Sequence, residues 1–348
     1  MTALLETDLG RSLLAGRRAR GRRRALVLAA LALLVVATYL LSLMIGHTRY
    51  SLGDVLRVVA GQTVPGASFT VGDLRLPRAT LALLVGLAFG MGGVTFQTML
   101  RNPLAAPDVI GISSGASAAG VFAIVVLGLS GGVVSVIAVT AALLTALAIY
   151  LLAWKDGVVG TRLILVGIGV AAMLDSVVSW VLMRAASWDL QTAMRWLTGS
   201  LNDATWDQVV PVLVVVALVA PAMVWLGRDL DLLHHGDDTA AALGVPVERI
   251  RILAVVAAVL LIACATAAAG PIAFVAFLAG PIAARLVGPG VSLLVPSALV
   301  GALIVLIGDQ VGQWAFGTRY PVGVVTGALG APFLVYLLIR ANRSGGSL

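Results

Sequence analysis

The chain has 348 residues, 60% of them hydrophobic and 11% charged, and its mean hydropathy is +1.05. This composition excludes an ordinary soluble domain, in which about a quarter of the residues are charged. The formal net charge of +7 would suit nucleic-acid binding, but among apolar spans the arginines indicate membrane orientation, so no nucleic-acid partner is predicted.

Seven arginines precede the first apolar run, residues 25–44: Arg11, Arg17, Arg18, Arg20, Arg22, Arg23 and Arg24. A basic stretch followed by an apolar one also fits a signal peptide. The run is longer than a typical signal-peptide core, however, and no small-residue cleavage site is evident. We therefore predict a cytoplasmic basic tail over 1–24 and a retained first helix.

Residues 50–61, which follow the first run, read YSLGDVLRVVAG. The spacing of their apolar positions predicts a short amphipathic helix on the outer face of the membrane. We interpret it as an anchor for this connection.

The second apolar run, residues 81–100, has the length of a membrane crossing but contains Gly86, Gly90, Gly92 and Gly93. Small residues let neighbouring helices approach closely, so we predict that this helix is buried among other helices rather than exposed to lipid. Near its end, Gln97 is a polar group at membrane depth. Such groups usually face the interior of a bundle or a water-filled cavity.

Apolar runs of suitable length recur along the chain and predict about ten membrane crossings. They cover residues 25–44, 77–100, 109–130, 132–154, 162–183, 207–227, 250–269, 274–288, 291–309 and 321–339. The eighth is the weakest, because Gly-Pro pairs at 270–271 and 280–281 interrupt it. Most of the 23 lysines and arginines fall on the side of the N-terminus, which places both termini in the cytoplasm. We predict one all-α polytopic membrane domain over 25–340 and a cytoplasmic tail over 341–348.

Two patterns bear on enzymatic function. The sole lysine, Lys155, is not part of a phosphate-binding Gly-Lys-Ser/Thr pattern, so ATP, if it is used, is hydrolysed by another polypeptide. The segment 111–115 (GISSG) matches the G-x-S-x-G nucleophile pattern, and an intramembrane serine hydrolase with Ser113 as nucleophile is one alternative. Against it, no strand is predicted before the motif, and the histidines that could act as the base lie in predicted loops, with His47 on the opposite face of the membrane. The adjacent His234 and His235 could also suggest a metal site, but the sequence places no third ligand beside them.

Asp175 is an acidic residue inside the fifth apolar run, close to Ser176 and Ser179. Carboxylates at membrane depth are costly and generally face an interior or water-filled path. A proton- or sodium-coupled secondary transporter would need such a group, so this class is a second alternative. Asp309, by contrast, lies near the outer end of a span, where we expect its carboxylate to reach the headgroups without a special role.

Residues 228–251 form a long polar connection on the predicted cytoplasmic side. We predict a short helix over Thr239–Leu243 that ends at Gly244, with Asp237 or Asp238 as its N-cap. A short capped helix between two spans is a rigid protrusion that fits the groove of a partner protein. A solvated connector is the alternative interpretation.

Several motifs occur together at characteristic spacing: RLPR at 75–78, Q-x-x-x-R-N-P-L-A-x-P at 97–107 and GISSGA at 111–116. With the glycine-rich span they resemble the permease subunits of ABC importers for iron-siderophores, haem and cobalamin, the FecCD type. The similarity covers almost the whole chain beyond the basic tail, including residues 270–275 and 321–333. It implies a type II ABC importer permease fold. It also implies two ATPase subunits, a second permease subunit and an extracytoplasmic substrate-binding protein as partners.

The resemblance assigns roles to individual residues. Docking of the binding protein is assigned to Arg75, Arg78 and Arg319. The cytoplasmic gate comprises Asn102, Leu104, Gly160 and Thr161. ATPase coupling is assigned to Ala240, Ala241, Leu243, Gly244 and Val245. Asp175, Ser176 and Ser179 of the fifth helix are assigned to the lining of the translocation path. We add Gln97 to this lining because it is polar.

The sequence thus predicts a multi-pass transporter subunit of the bacterial cytoplasmic membrane, without catalytic residues, cofactor or metal site. We expect a ferric siderophore as substrate, since residues 194–202 (MRWLTGSLN) resemble the siderophore branch more than the cobalamin branch. Haem and cobalamin remain alternatives, as do an identical and a paralogous second permease. Residues 281–282 read Pro-Ile where family members usually carry Pro followed by His or Gln, which leaves the contacts of the eighth helix unassigned.

Overall fold

The computed structural model of the protein describes residues 8–106, 111–154, 160–288 and 292–343, and every regular element in these ranges is helical. The first six α-helices are α1 (Asp8–Met44), α2 (Leu52–Val59), α3 (Leu76–Met99), α4 (Ile112–Val125), α5 (Gly132–Ala153) and α6 (Gly160–Leu182). They are followed by α7 (Ser187–Leu197), α8 (Trp206–Leu233), α9 (Asp237–Ala242), α10 (Val247–Ala269), α11 (Val275–Val287), α12 (Leu294–Trp314) and α13 (Val322–Arg343). A π-helix, Ser68–Arg75, leads directly into α3.

Ten of these helices account for the predicted crossings. Seven are long and apolar enough to span a bilayer: α1, α3, α5, α6, α8, α10 and α12. Three shorter apolar helices, α4, α11 and α13, complete the set. The all-helical polytopic fold is therefore confirmed for the described ranges. Residues 1–7 and 344–348 of the predicted tails lie outside those ranges, and α1 runs from within the basic tail into the first span.

α3 is the central helix of the bundle. Of its most apolar stretch 83% is buried, and it packs against α8, α10, α11 and α12. Gly92 faces the side chain of Ile262 on α10, and Gly93 faces the backbone of Ala276 on α11. The prediction that the glycine-rich helix is enclosed by other helices is confirmed.

The closest of these contacts is between α3 and α12, which pack backbone against backbone. A Cβ atom at Gly86 would lie 2.5 Å from the Cα of Ala302, and one at Gly90 would overlap the carbonyl oxygen of Ser297. On α12, Gly301 faces the backbone of Gly86 in return. Real Cβ atoms essentially never approach other heavy atoms within 3.0 Å, so the contact requires small residues on both helices.

The chain is interrupted between α10 and α11, as the sequence predicts. Gly270 has φ +72° and Phe274, which precedes α11, has φ +64°, so both adopt left-handed backbone conformations. The backbone N–H of Ser200 donates to the carbonyl of Ala269 at 2.7 Å and holds the interruption against the segment after α7. Pro281 lies within α11 without ending it, so only the first of the two Gly-Pro pairs breaks the helix.

α2 confirms the predicted amphipathic helix. The Ser51 hydroxyl caps it by accepting a hydrogen bond from the backbone N–H of Asp54 at 3.1 Å. Val55 is buried, whereas Leu56 and Val59 on the other face are half exposed. The helix thus has one face on the protein and one apolar face available to the membrane surface.

Candidate functional site

Most of the residues to which the sequence assigns docking, gating and coupling roles lie at the two ends of the bundle. We call the end where α3 begins the Arg78 end; it carries Arg75, Arg78 and Asp309. The opposite end, where α3 finishes, is the Asp237 end; it carries the turn at residues 101–104 and α9.

At the Arg78 end, Arg78 pairs with an aspartate on α12. Its Nε donates to Asp309 Oδ2 at 2.9 Å and its Nη2 donates to Asp309 Oδ1 at 2.7 Å. Gln313 Nε2 donates to the same carboxylate at 2.8 Å. The two charged side chains are only 17% and 5% exposed. The interpretation of Asp309 as a headgroup-facing acid is therefore wrong, because its carboxylate is buried and joins α12 to α3.

The other two predicted docking arginines are held differently. Arg75 donates to the carbonyl oxygens of Leu43 at 2.9 Å and Thr48 at 2.8 Å, so it fixes the end of α1. Arg319 is exposed, and its Nη2 lies 2.9 Å from Nε2 of His47. Of the three, Arg319 therefore presents the most accessible guanidinium group.

Replacing Asp309 with alanine is expected to destabilise the protein by about 3–5 kcal/mol, because it leaves the largely buried guanidinium of Arg78 without its anionic partner. Thermal unfolding of the purified protein in detergent measures the change. Arg57→Ala is the matched control, since the ion pair of Arg57 with Asp54 is exposed and such pairs contribute little to stability. Equal Tm values for the two variants would contradict the stabilising role of the buried pair.

The turn after α3 contains two of the predicted gate residues. Asn102 Oδ1 accepts a hydrogen bond from the backbone N–H of Leu104 at 2.8 Å, and Asn102 N donates to the carbonyl of Gln97 at 3.0 Å. The asparagine therefore closes the turn. Leu104 packs against a buried cluster formed by α11 and α13. Gly160 and Thr161 are the first two residues of α6, and their surroundings lie outside what the structure describes.

A cavity of about 430 Å³ lies beside this turn. Its walls are formed by Leu104 and Ala106 of the turn, Ser113, Ser114 and Ser117 of α4, Phe274 and Phe277 at α11, and Leu197, Pro271, Ala273 and Leu334. None of these side chains is charged. A cavity that combines hydroxyl groups with aromatic faces can hold a partly apolar solute. Ser113 and Ser114 lie in the GISSGA motif and Ser117 directly follows it, so the motif contributes to a cavity wall.

α9 confirms the predicted short helix at the Asp237 end, with different boundaries. It runs over Asp237–Ala242, and α8 continues to Leu233, so the non-helical connection is shorter than 228–251. Gly236 precedes α9 and no side chain caps it, so the prediction of an aspartate N-cap is wrong. Gly244 follows with φ +85°, the left-handed conformation that ends many helices.

The five predicted coupling residues fall into two groups. Ala240 and Val245 are 0% and 7% exposed and pack into the core of the bundle. Ala241, Leu243 and Gly244 are exposed, Leu243 by 62%. We call these last three residues the α9 knob. The buried residues Ala240 and Val245 anchor the α9 knob to the bundle, so the knob moves with the bundle.

An ion-pair network at the same end was not predicted. Asp237 accepts from Arg101 (Nη2 to Oδ1, 2.6 Å) and from Arg251 (Nη2 to Oδ2, 2.8 Å). Arg251 also pairs with Glu248 at 3.4 Å. Arg101 and Asp237 are 136 residues apart, and nothing in the local sequence around either residue indicates the pairing.

The four predicted path residues do not lie together. Gln97 is 6% exposed, and its Nε2 donates to the carbonyl of Phe277 at 3.1 Å, so it ties α3 to α11 inside the bundle. Asp175, Ser176 and Ser179 are exposed on α6. Only 17% of the most apolar stretch of α6 is buried within the chain. This face of α6, with its carboxylate, therefore needs a second chain or a hydrated path beside it.

The residues considered for catalysis and metal binding lie on different elements of the bundle. Ser113 is in the first turn of α4 and is 6% exposed, His47 lies at the Arg78 end, and His234 and His235 follow α8 at the Asp237 end. Burial lowers the pKa of His234, and the charges of His235 and Arg101 lower it further. In the described part of the chain, no three His, Cys, Asp or Glu side chains cluster as metal ligands.

Comparison with known proteins gives a consistent result. The sequence model of the FecCD transport family matches residues 33–340. The ferric enterobactin transport system permease protein FepG of Escherichia coli K12 is 41% identical over 299 residues, 86% of this chain and 91% of that protein. The cobalamin import system permease protein BtuC of Halobacterium salinarum is 36% identical over 280 residues, 78% of this chain and 74% of that protein. A solved structure of a metal-chelate type ABC transporter in an inward-facing conformation is 29% identical, with TM-score 0.80 over 90% of this chain and 99% of that one.

Proposed function

The chain belongs to the FecCD transport family, and from this premise we propose that it is the membrane-spanning permease subunit of an ABC importer for ferric siderophores. The observation that carries the proposal is the 41% identity to a ferric enterobactin permease over 86% of the chain. The protein is a multi-pass inner-membrane transporter subunit. ATP hydrolysis belongs to separate ATPase subunits.

In this proposal the Asp237 end faces the cytoplasm. The arginine-rich tail 1–24, the connection 228–251 and the tail 341–348 lie on that side, and 25–340 is the permease domain. The Arg78 end then faces the substrate-binding protein. Arg319 is exposed for docking, while Arg75 and Arg78 would exchange their present partners for carboxylates of the binding protein. Charged contacts of this kind steer a reversible encounter.

The proposed mechanism requires two permease subunits. The exposed face of α6, with Asp175, borders the second subunit and the path between them. Each α9 knob docks on one ATPase subunit, and closure of the two ATPases on ATP moves both knobs. The two permeases rock against each other, so that the path opens alternately to the two sides.

The cavity beside Leu104 supports a bulky, partly apolar cargo. Its walls offer serine hydroxyls and the faces of Phe274 and Phe277, and no charged side chain. These groups suit an organic chelate better than a bare metal ion, which would require several oxygen or nitrogen ligands. Haem and cobalamin are the alternatives, and of these two the 36% identity to a cobalamin permease favours cobalamin.

The test is uptake into proteoliposomes that contain the permease with its ATPase subunits, supplied with binding protein. We expect ATP-dependent accumulation of ferric enterobactin or another ferric siderophore, and none of haem or cobalamin at equal concentration. A preference for haem or cobalamin would replace the substrate assignment. Accumulation by the permease alone, without ATPase subunits, would overturn the proposed class.

Asp175→Asn separates this function from an ion-coupled secondary transporter. A coupled carrier would lose gradient-driven uptake, because the variant has no titratable carboxylate on α6. In the permease no proton is carried, so we expect that uptake by the variant still requires ATP hydrolysis and is insensitive to an uncoupler. Loss of wild-type uptake on addition of the uncoupler, with ATP still present, would favour the carrier.

A further inference from the structure

Asp237 is shared by two arginines from different parts of the bundle. Arg101 follows α3 and contacts one carboxylate oxygen at 2.6 Å, and Arg251 on α10 contacts the other at 2.8 Å. Asp237 is the first residue of α9. The carboxylate therefore connects the base of the α9 knob to the ends of two membrane helices.

Arg101 carries this connection to the gate turn. Its Nε donates to the carbonyl of Leu233, the last residue of α8, at 3.0 Å. Its own backbone has φ +48°, a conformation that non-glycine residues seldom adopt, so the guanidinium contacts hold a turn that local preference does not favour. The next residue, Asn102, closes the turn that places Leu104 in the cavity wall. Two residues thus separate the ion pair from the cavity.

Arg251 supplies a fixed support on the other side. Its side chain is only 13% exposed and also pairs with Glu248 at 3.4 Å. Glu248 in turn accepts a hydrogen bond from the Tyr150 hydroxyl of α5 at 3.0 Å. The network therefore extends from the knob to α3, α5, α8 and α10.

Global stability is a weak explanation for this arrangement. Asp237 is 48% and Arg101 44% exposed, and exposed ion pairs contribute about 0–1 kcal/mol. The shared carboxylate instead fixes the position of α9 relative to the turn at residues 101–104. α9 has only six residues, so it has little surface of its own with which to hold the turn.

We propose that Asp237 is a positioning residue that makes α9 and the Arg101–Leu104 turn move as one body, so that ATPase closure is transmitted to the cavity wall. This inference rests on the proposed function, because it assigns a role to the contact between the knob and the ATPase. It requires no large change at the ion pair itself during the cycle. The parts that move relative to this unit are the ATPase on one side and the rest of the cavity wall on the other.

The first test is Asp237→Asn in the complete importer, with ATP hydrolysis and uptake measured on the same proteoliposomes. We expect uptake per ATP hydrolysed to fall at least about fivefold, the lower range of typical coupling between sites. Asp238→Asn is the matched control, because Asp238 is the neighbouring exposed carboxylate and forms no ion pair with any residue the structure describes. Asp237→Glu, which keeps the carboxylate, is expected to recover part of the ratio. An unchanged ratio in Asp237→Asn would overturn the proposal.

A second variant covers the case in which Asp237→Asn does not assemble. Arg101→Cys and Asp237→Cys are combined with Cys264→Ser, which removes the sole native cysteine. A short bifunctional thiol reagent then replaces the ion pair by a covalent link. We expect the unlinked variant to be uncoupled and the link to restore uptake per ATP. Failure of the link to restore uptake would contradict movement as one body.

Different outcomes would contradict the proposed function and the role of Asp237. If the wild-type complex shows no ATP-dependent uptake of any chelate, the proposed function is wrong. If the wild type transports and the linked variant hydrolyses ATP without uptake, only the role of Asp237 is wrong.

Discussion

Gly90→Ala is expected to prevent stable packing of the bundle, with a loss of at least about 3 kcal/mol, the upper range for overpacked cores. The added methyl group would overlap the carbonyl oxygen of Ser297 on α12. A backbone carbonyl cannot turn away as a side chain can, so α3 and α12 must separate along their length. Apparent Tm in detergent and the yield of monodisperse protein measure the effect.

Gly132→Ala is the control for this variant. Gly132 is exposed at the start of α5, and a Cβ atom there would meet nothing within 4 Å. We expect its Tm to remain within a degree or two of the wild type, since surface substitutions usually change stability by less than about 0.5 kcal/mol. If Gly90→Ala had the same Tm as this control, the backbone contact between α3 and α12 would not be required.

Leu243→Glu is expected to abolish retention of the ATPase subunits during affinity purification in mild detergent. Leu243 is 62% exposed at the tip of the α9 knob, so the substitution leaves the permease core intact but places a charge at the centre of the proposed contact. A hot-spot residue near the centre of an interface contributes about 2 kcal/mol or more, about a thirtyfold change in affinity. The amount of co-purified ATPase per permease measures the loss.

Leu56→Glu adds the same charge to an exposed helix at the opposite end. Leu56 is 51% exposed on α2, far from α9, and we expect its ATPase retention to match the wild type. Equal retention in Leu243→Glu and Leu56→Glu would exclude the α9 knob as the docking element.

The features that the sequence predicted well depend on composition and local spacing. The glycines of α3 predicted its burial, because a helix that faces lipid gains nothing from four small residues. The short helix before Gly244 followed from the glycine at its C-terminal end, and the amphipathic α2 followed from apolar spacing. The membrane crossings followed from length and hydropathy, and the family motifs led to the FecCD family, which the family comparison confirms.

The features that the sequence did not predict are long-range pairings. Asp309 was expected at the headgroups, because it lies near the end of a span. Its position in the sequence does not show that Arg78 of another helix faces it. Asp237 or Asp238 was expected to cap α9, because local capping rules do not include a distant arginine such as Arg101. The division of the coupling residues into buried Ala240 and exposed Leu243 also depends on how α9 lies on the bundle.

The buried pair of Arg78 and Asp309 has a consequence for biosynthesis. The two residues are 231 positions apart, so at ribosomal rates of roughly 5–20 residues per second α3 enters the bilayer some 10–50 s before α12 is made. During that interval the guanidinium has no native counter-ion at its final depth, and Gly86 and Gly90 of α3 have no partner helix. Completion of the bundle therefore awaits nearly the whole nascent chain, and a product that ends before α12 would leave Arg78 without its ion-pair partner.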